Sequence, residues 1–113
     1  MPSAAPAKST KYIDIGRDFA TALGPRYRRL GINSGEEFYE RLLKPAYLSG
    51  DEVVVALDSL EGWTSSFFEE AFGGLVREFG LKEVMSRVSF LAVRRAHLVP
   101  MIESWMREAG DDR

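Results

Sequence analysis

The run Val53-Val-Val-Ala-Leu57, set between Asp51-Glu52 and Asp58, constrains this chain more than any other stretch. Consecutive β-branched residues of that length read as a strand buried on both faces. Such a strand belongs in a parallel sheet with helices laid over it. Two further segments fit the same sheet. Lys11 to Ile15 sets Ile13 and Ile15 on one side and Tyr12 and Asp14 on the other, and Val88 to Val93 is a third apolar run. One more short strand is expected near Phe19 or Tyr27.

Helices alternate with these strands. Ser34-Gly-Glu-Glu37 is a capping box, and Phe38, Leu42, Leu43, Ala46 and Tyr47 follow on one helical face. Pro45 predicts a kink or an early end there. Ser66-Phe-Phe-Glu69 is a second box. Phe67, Phe68, Ala71, Phe72, Leu75, Val76 and Phe79 follow it on a broad face, with Gly80 as the stop. Gly73-Gly74 inside this helix implies close helix–sheet packing. Leu98, Met101, Ile102, Trp105, Met106 and Ala109 form the last amphipathic face, with Pro100 in its first turn and His97 near its start. The order predicts an α/β fold: a mainly parallel or mixed sheet of about four strands covered by three to four helices, with right-handed crossovers.

At 113 residues the chain is one domain. Residues 1–10 and 110–113 read as flexible tails around a domain at 11–109. The absence of cysteine excludes disulfides, thiolate nucleophiles and thiolate metal sites, and the single histidine, His97, excludes a multi-histidine centre within one chain. No cofactor is indicated. No apolar run is long enough to cross a membrane, and MPSAAPAKST lacks the apolar core of a signal peptide, so the expected compartment is the cytoplasm. Residues 1–32 carry a net +4 and residues 33–113 a net −6. That balance argues against a nucleic-acid partner but leaves room for a local anion site.

In sheets of this type, ligands and partners meet the carboxyl ends of the strands. Here that region is Asp58 to Phe68, which leads from the central strand into a helix start. Thr64, Ser65 and Ser66 are small hydroxyls where helix amides favour negative charge. A phosphate there would add about −1.5 to −2 charges and three acceptor oxygens without opposing the fold. Ser66, with Glu69, reads as the cap; Thr64 and Ser65 are freer. Asp58, Trp63, Phe67 and Phe68 are candidate contacts for a protein partner, with Trp63 and Phe67 as anchors. A second constellation is Arg26, Arg28 and Arg29 just before the Ser34 helix start. Their guanidinium forks and the helix amides could hold a small anion or nucleotide. No GKS or GKT is present, so this is not a P-loop. The carboxylates Glu69-Glu70 and Asp58 with Glu61 read as solvated side chains.

Strand-Asp58, loop, Thr64-Ser65-Ser66 and an apolar helix with Gly73-Gly74 together resemble the STAS superfamily and its bacterial anti-sigma factor antagonists. The chain is more closely similar to a STAS-like family of unknown function. The matching segments are Gly24-Pro-Arg-Tyr27, Ser34 to Phe38 and Thr64 to Leu75. The resemblance implies a non-enzymatic signalling module. Such a module binds a histidine-kinase-like ATPase, is phosphorylated on the first serine of the pair, Ser65 here, and then releases. Where the antagonists carry Asp before the serines and Gly-Leu after them, this chain has Thr64 and Phe67-Phe68. A homodimer through Trp105, Met101 and Met106 stays open, as does the alternative of an anion- or nucleotide-binding module.

Overall fold

The structure, a computed structural model, describes residues 9–111. Residues 1–8 and 112–113, most of the first expected tail and half of the second, lie outside the described residues. Thr10 already belongs to the first strand, and Gly110 and Asp111 to the last helix. Three strands form the sheet: β1 (Thr10–Asp14), β2 (Glu52–Ala56) and β3 (Val88–Leu91), in the order β1-β2-β3 and all parallel. The register sets Ile13 beside Val55 and Val55 beside Phe90. A single parallel bridge between Ala22 and Gly62 stands where a fourth strand was expected. Gly24-Pro25 turns the chain away before a ladder can grow, since Pro25 has no amide to donate.

The helices are α1 (Ile15–Asp18), α2 (Gly35–Phe38), α3 (Lys44–Ser49), α4 (Ser65–Phe79), α5 (Leu81–Arg87) and α6 (Leu98–Asp111). β2 is not buried on both faces. Val53, Val55 and Leu57 are buried, but Val54 and Ala56 are only partly covered. Ile13, Ile15 and Val88 share the buried face, so the core lies on one side of the sheet. On the other side Tyr12 and Leu91 stay exposed.

Ser34 caps α2, its Oγ accepting from the Glu37 amide at 3.0 Å, but the expected box is only half formed, because the Glu37 carboxylate pairs with Arg41 at 2.6 Å. Pro45 neither ends nor breaks the helix that follows. A π turn at Tyr39–Leu43 joins α2 to α3, with the Lys44 amide reaching back to the Tyr39 carbonyl. This wider turn just ahead of Pro45 accommodates a residue without an amide. The π turn is tied to α4. The Tyr39 hydroxyl donates to the Glu78 carboxylate, which also accepts from Lys44 Nζ at 2.6 Å. Burial, then the bond to Glu78, raises the Tyr39 pKa, and Lys44 and Tyr39 lower that of Glu78.

Around Gly73-Gly74 the close neighbours are on helices rather than on the sheet. A Cβ on Gly73 would lie 3.4 Å from the Ala109 Cβ of α6, and one on Gly74 would lie 3.8 Å from the Tyr39 ring. Gly35 is tighter still, because a Cβ there would fall 2.5 Å from the Phe67 carbonyl oxygen. The first turns of α2 and α4 therefore meet at a contact only glycine permits. Gly35→Ala is expected to destabilise the fold by about 1–3 kcal/mol through overpacking. Gly62→Ala, whose Cβ would meet nothing within 4 Å, should stay within about 0.5 kcal/mol. Urea unfolding midpoints test this pair, and equal losses would contradict the close approach.

Candidate functional site

β2 delivers the chain to its carboxyl end, where Asp58, Ser59 and Leu60 turn toward α4. The Asp58 carboxylate is engaged within the chain. It accepts the Val93 amide at 3.0 and 2.9 Å and the Arg95 amide at 2.9 Å. The Arg95 amide first, then that of Val93, holds its pKa below the usual carboxylate range. The Ser59 hydroxyl donates to the Asp14 carboxylate at the end of β1. Three strand ends are thus laced together by two aspartates.

Two arginines complete the lacing. The Arg94 guanidinium donates to the Asp58 and Leu60 carbonyls at 3.1 and 3.4 Å. Arg95 reaches the Leu60 carbonyl through Nε at 3.2 Å and Nη2 at 3.0 Å. The same guanidinium lies 5.1 Å from the Trp63 ring centre, and the His97 ring centre lies 5.9 Å from that of Trp63. Trp63 is partly buried against the core, and His97 is exposed in the turn before α6. Sequence reasoning missed this clamp. Its visible signal was a pair of arginines directly after a strand, but their targets are carbonyls, which no sequence pattern marks.

Thr64, not Ser66, is the N-cap of α4. Its Oγ1 accepts from the Phe67 amide at 3.0 Å and donates to the Gly24 carbonyl at 2.8 Å. The expected Ser66–Glu69 box does not form, because Glu69 takes Arg26 instead. Ser65 is exposed at the first position of α4 and Ser66 is half-buried. Neither serine makes a hydrogen bond through hydroxyl or amide among the described residues. Phe67 and Phe68 are both 0% exposed. They belong to the core and cannot serve as docking contacts in this state.

The arginine loop is assembled differently from an anion cradle. Arg26 sits 3.3 Å from Glu69 and 3.6 Å from Glu70, and Arg28 lies 3.0 Å from Glu40. Arg29 stacks over Tyr27 at 5.3 Å. Ser34 is buried, and the first amides of α2 are spent: Gly35 donates to Pro25, Glu36 to Arg26 and Glu37 to Ser34. A hollow lined by Tyr27, Arg28, Arg29 and Glu36 remains, but Glu36 already accepts the Arg28 amide there. Among the described residues, no three His, Asp or Glu side chains are grouped to hold a metal ion. Among the described residues, no helix is long and apolar enough to cross a membrane.

Because the folded pKa of Asp58 is depressed, its contribution to stability is full above the unfolded carboxylate value of about 3.9 and is lost as pH falls through the folded value. Asp58→Asn should therefore be less stable than wild type at pH 7. The gap should narrow as pH falls below about 4. Urea midpoints of both proteins at neutral and acid pH measure this, and a gap that stays constant would contradict the charged role.

No curated protein and no solved structure matches the chain significantly. The sequence model of one family does match, over residues 34–94, more than half of the chain. Its span runs from the buried cap of α2 through β2, the laced loop, α4 and β3 to the first arginine of the clamp. The chain belongs to the family described as STAS-like domain of unknown function (DUF4325).

Proposed function

We propose that this domain is a non-enzymatic regulatory module whose binding to a protein partner is set by a phosphoryl group on Ser65. The observation that carries this reading is the contrast within Thr64-Ser65-Ser66. Thr64 is consumed as cap and tether, and Ser66 is half-buried. Ser65 alone combines exposure with an unbonded hydroxyl at the first position of a long helix. The resemblance to anti-sigma factor antagonists points to the same residue.

The chemistry needs nothing further from this chain. In a partner of the histidine-kinase-like ATPase type, the Ser65 oxygen attacks the γ-phosphorus of bound ATP. The bond from that phosphorus to the departing ADP oxygen breaks, and the hydroxyl proton passes to a basic group of the partner. The product carries about two negative charges at the positive end of α4, beside amides with no other acceptor. The modified state is thus electrostatically supported, and what changes is the surface a partner meets. Phe67 and Phe68 stay in the core throughout.

The test is affinity capture of the tagged full chain from its own cells, with Ser65→Ala and Ser65→Asp beside it. The expected result is a kinase-like ATPase held by the alanine form and lost from the aspartate form. Identical partners on all forms would contradict the switch. Ser65→Asp should not unfold the domain, since a carboxylate in the first turn of a helix adds about 0.3–1 kcal/mol. A lower melting temperature than that of Ser65→Ala would contradict the electrostatic argument.

A further inference from the structure

Residues 24–35 form a closed surface loop that the proposed switch leaves unexplained. Its two ends are stitched together: Gly24 donates to the Asn33 carbonyl at 2.8 Å, and Gly35 to the Pro25 carbonyl at 2.9 Å. Inside it, Leu30 donates to Tyr27 at 3.0 Å and Gly31 to Arg28 at 3.2 Å. Asn33 adopts a left-handed backbone, φ 57, and Gly24 has its Cβ position 2.0 Å from the Ile32 carbonyl oxygen. These are the marks of a rigid Ω-loop rather than a slack connection. Most of it precedes the stretch that the family model matches.

At its tip the loop holds Leu30 at 58% exposure and Ile32 at 80%. Single exposed aliphatics are ordinary on protein surfaces. Two of them, one residue apart on a loop pinned by hydrogen bonds on both sides, are preorganised for burial against something else. The charge of the tip narrows what that is. The segment 19–35 contains Arg26, Arg28 and Arg29 and no acidic residue. Arg26 and Arg28 have carboxylates of this chain. Arg29 is stacked on Tyr27, with no carboxylate partner among the described residues. The tip therefore offers two aliphatic side chains and one unneutralised guanidinium. An anionic membrane calls for clusters of about four to eight basic residues, which this tip does not supply.

The loop is also wired to the switch. Thr64 donates to Gly24 at one end of the loop, and Arg26 reaches Glu69 one turn into α4. We infer that the tip, through Leu30, Ile32 and Arg29, is the docking element for a protein partner with an apolar pocket bordered by a carboxylate. The inference rests on the Ser65 reading for its regulation, but the docking surface stands on its own observations.

A photo-crosslinking phenylalanine analogue placed at Ile32 in the full chain, in its own cells, identifies the protein seated on the tip. The same analogue at Leu48, exposed on α3, is the control position. That protein is then purified and titrated with wild type, the double variant Leu30→Ser/Ile32→Ser, Arg29→Glu and Ser65→Asp. The exposed positions leave the unfolding midpoint unchanged, which is checked alongside. The double variant should weaken binding by about tenfold or more. Arg29→Glu should weaken it further as salt is lowered, because repulsion replaces attraction.

No protein crosslinked from position 32, or equal crosslinking from position 48, overturns the docking assignment. So does unchanged affinity in the double variant. Co-sedimentation of the wild type with phosphatidylglycerol vesicles, lost in the double variant, would assign the tip to lipid instead. A wild-type dimer in sedimentation, lost in the double variant, would assign it to a second copy. Ser65→Asp separates the two proposals. If it weakens binding while the double variant does not, the docking element fails and the switch stands; the reverse pattern fails the switch alone.

Discussion

Everything at the candidate site depends on where Phe67 and Phe68 go. Both rings are fully buried in the first turn of α4, and each finds neighbours on other elements. Phe67 lies 5.4 Å from Phe38 of α2, and Phe68 is stacked at 6.2 Å on Trp105 of α6. Phe38 continues the chain of rings to Phe19 at 5.4 Å. Burial of one such ring is worth about 1.5–3 kcal/mol. The first turn of α4 is consequently held in the core, and this helix start is not free to fray. Gly35 allows α2 to close on the same turn. Ser65, two residues before Phe67, is left outside on a fixed base.

The sheet contributes through its carboxyl ends rather than its area. Three short parallel strands with helices on one face supply a modest platform. The loops leaving β1, β2 and β3 are joined by Asp14, Asp58, Arg94 and Arg95. A loop of this kind would ordinarily be the pliable part of an α/β domain. Here its carbonyls and amides are largely spoken for. The outward features that remain, Ser65 and the tip at Leu30 and Ile32, are therefore local and fixed in position.

Much of the architecture was legible in the sequence. The β-branched run of β2, the alternation of β1 and the apolar faces of α4 and α6 each reflect burial, and burial is what hydrophobic patterning records. The Ser34 cap was legible because its partner, the Glu37 amide, is local. The cap of α4 was misread for the opposite reason. Thr64 is preferred over Ser66 because its hydroxyl also meets the Gly24 carbonyl, 40 residues away, and no local motif encodes that. The one-sided sheet was hidden because Val54 and Ala56 are apolar yet only partly covered. Their place beside the Thr64-Ser65-Ser66 hydroxyls makes Phe67 a candidate anchor and Phe68 a candidate contact, whereas helix periodicity already assigns both to the core face, where both are buried. The arginine loop was recognised as a loop, but its internal ion pairs with Glu40, Glu69 and Glu70 depend on how α2 and α4 pack.

The central claim is that one hydroxyl of three is placed to change state. Mass spectrometry of the protein isolated from its own cells, mapping phosphate across Thr64, Ser65 and Ser66 in several growth conditions, tests it most directly. Phosphate is expected on Ser65 and none on Thr64, whose oxygen is bonded to both Phe67 and Gly24. Phosphate confined to Thr64, or all three residues unmodified in every condition, would contradict it.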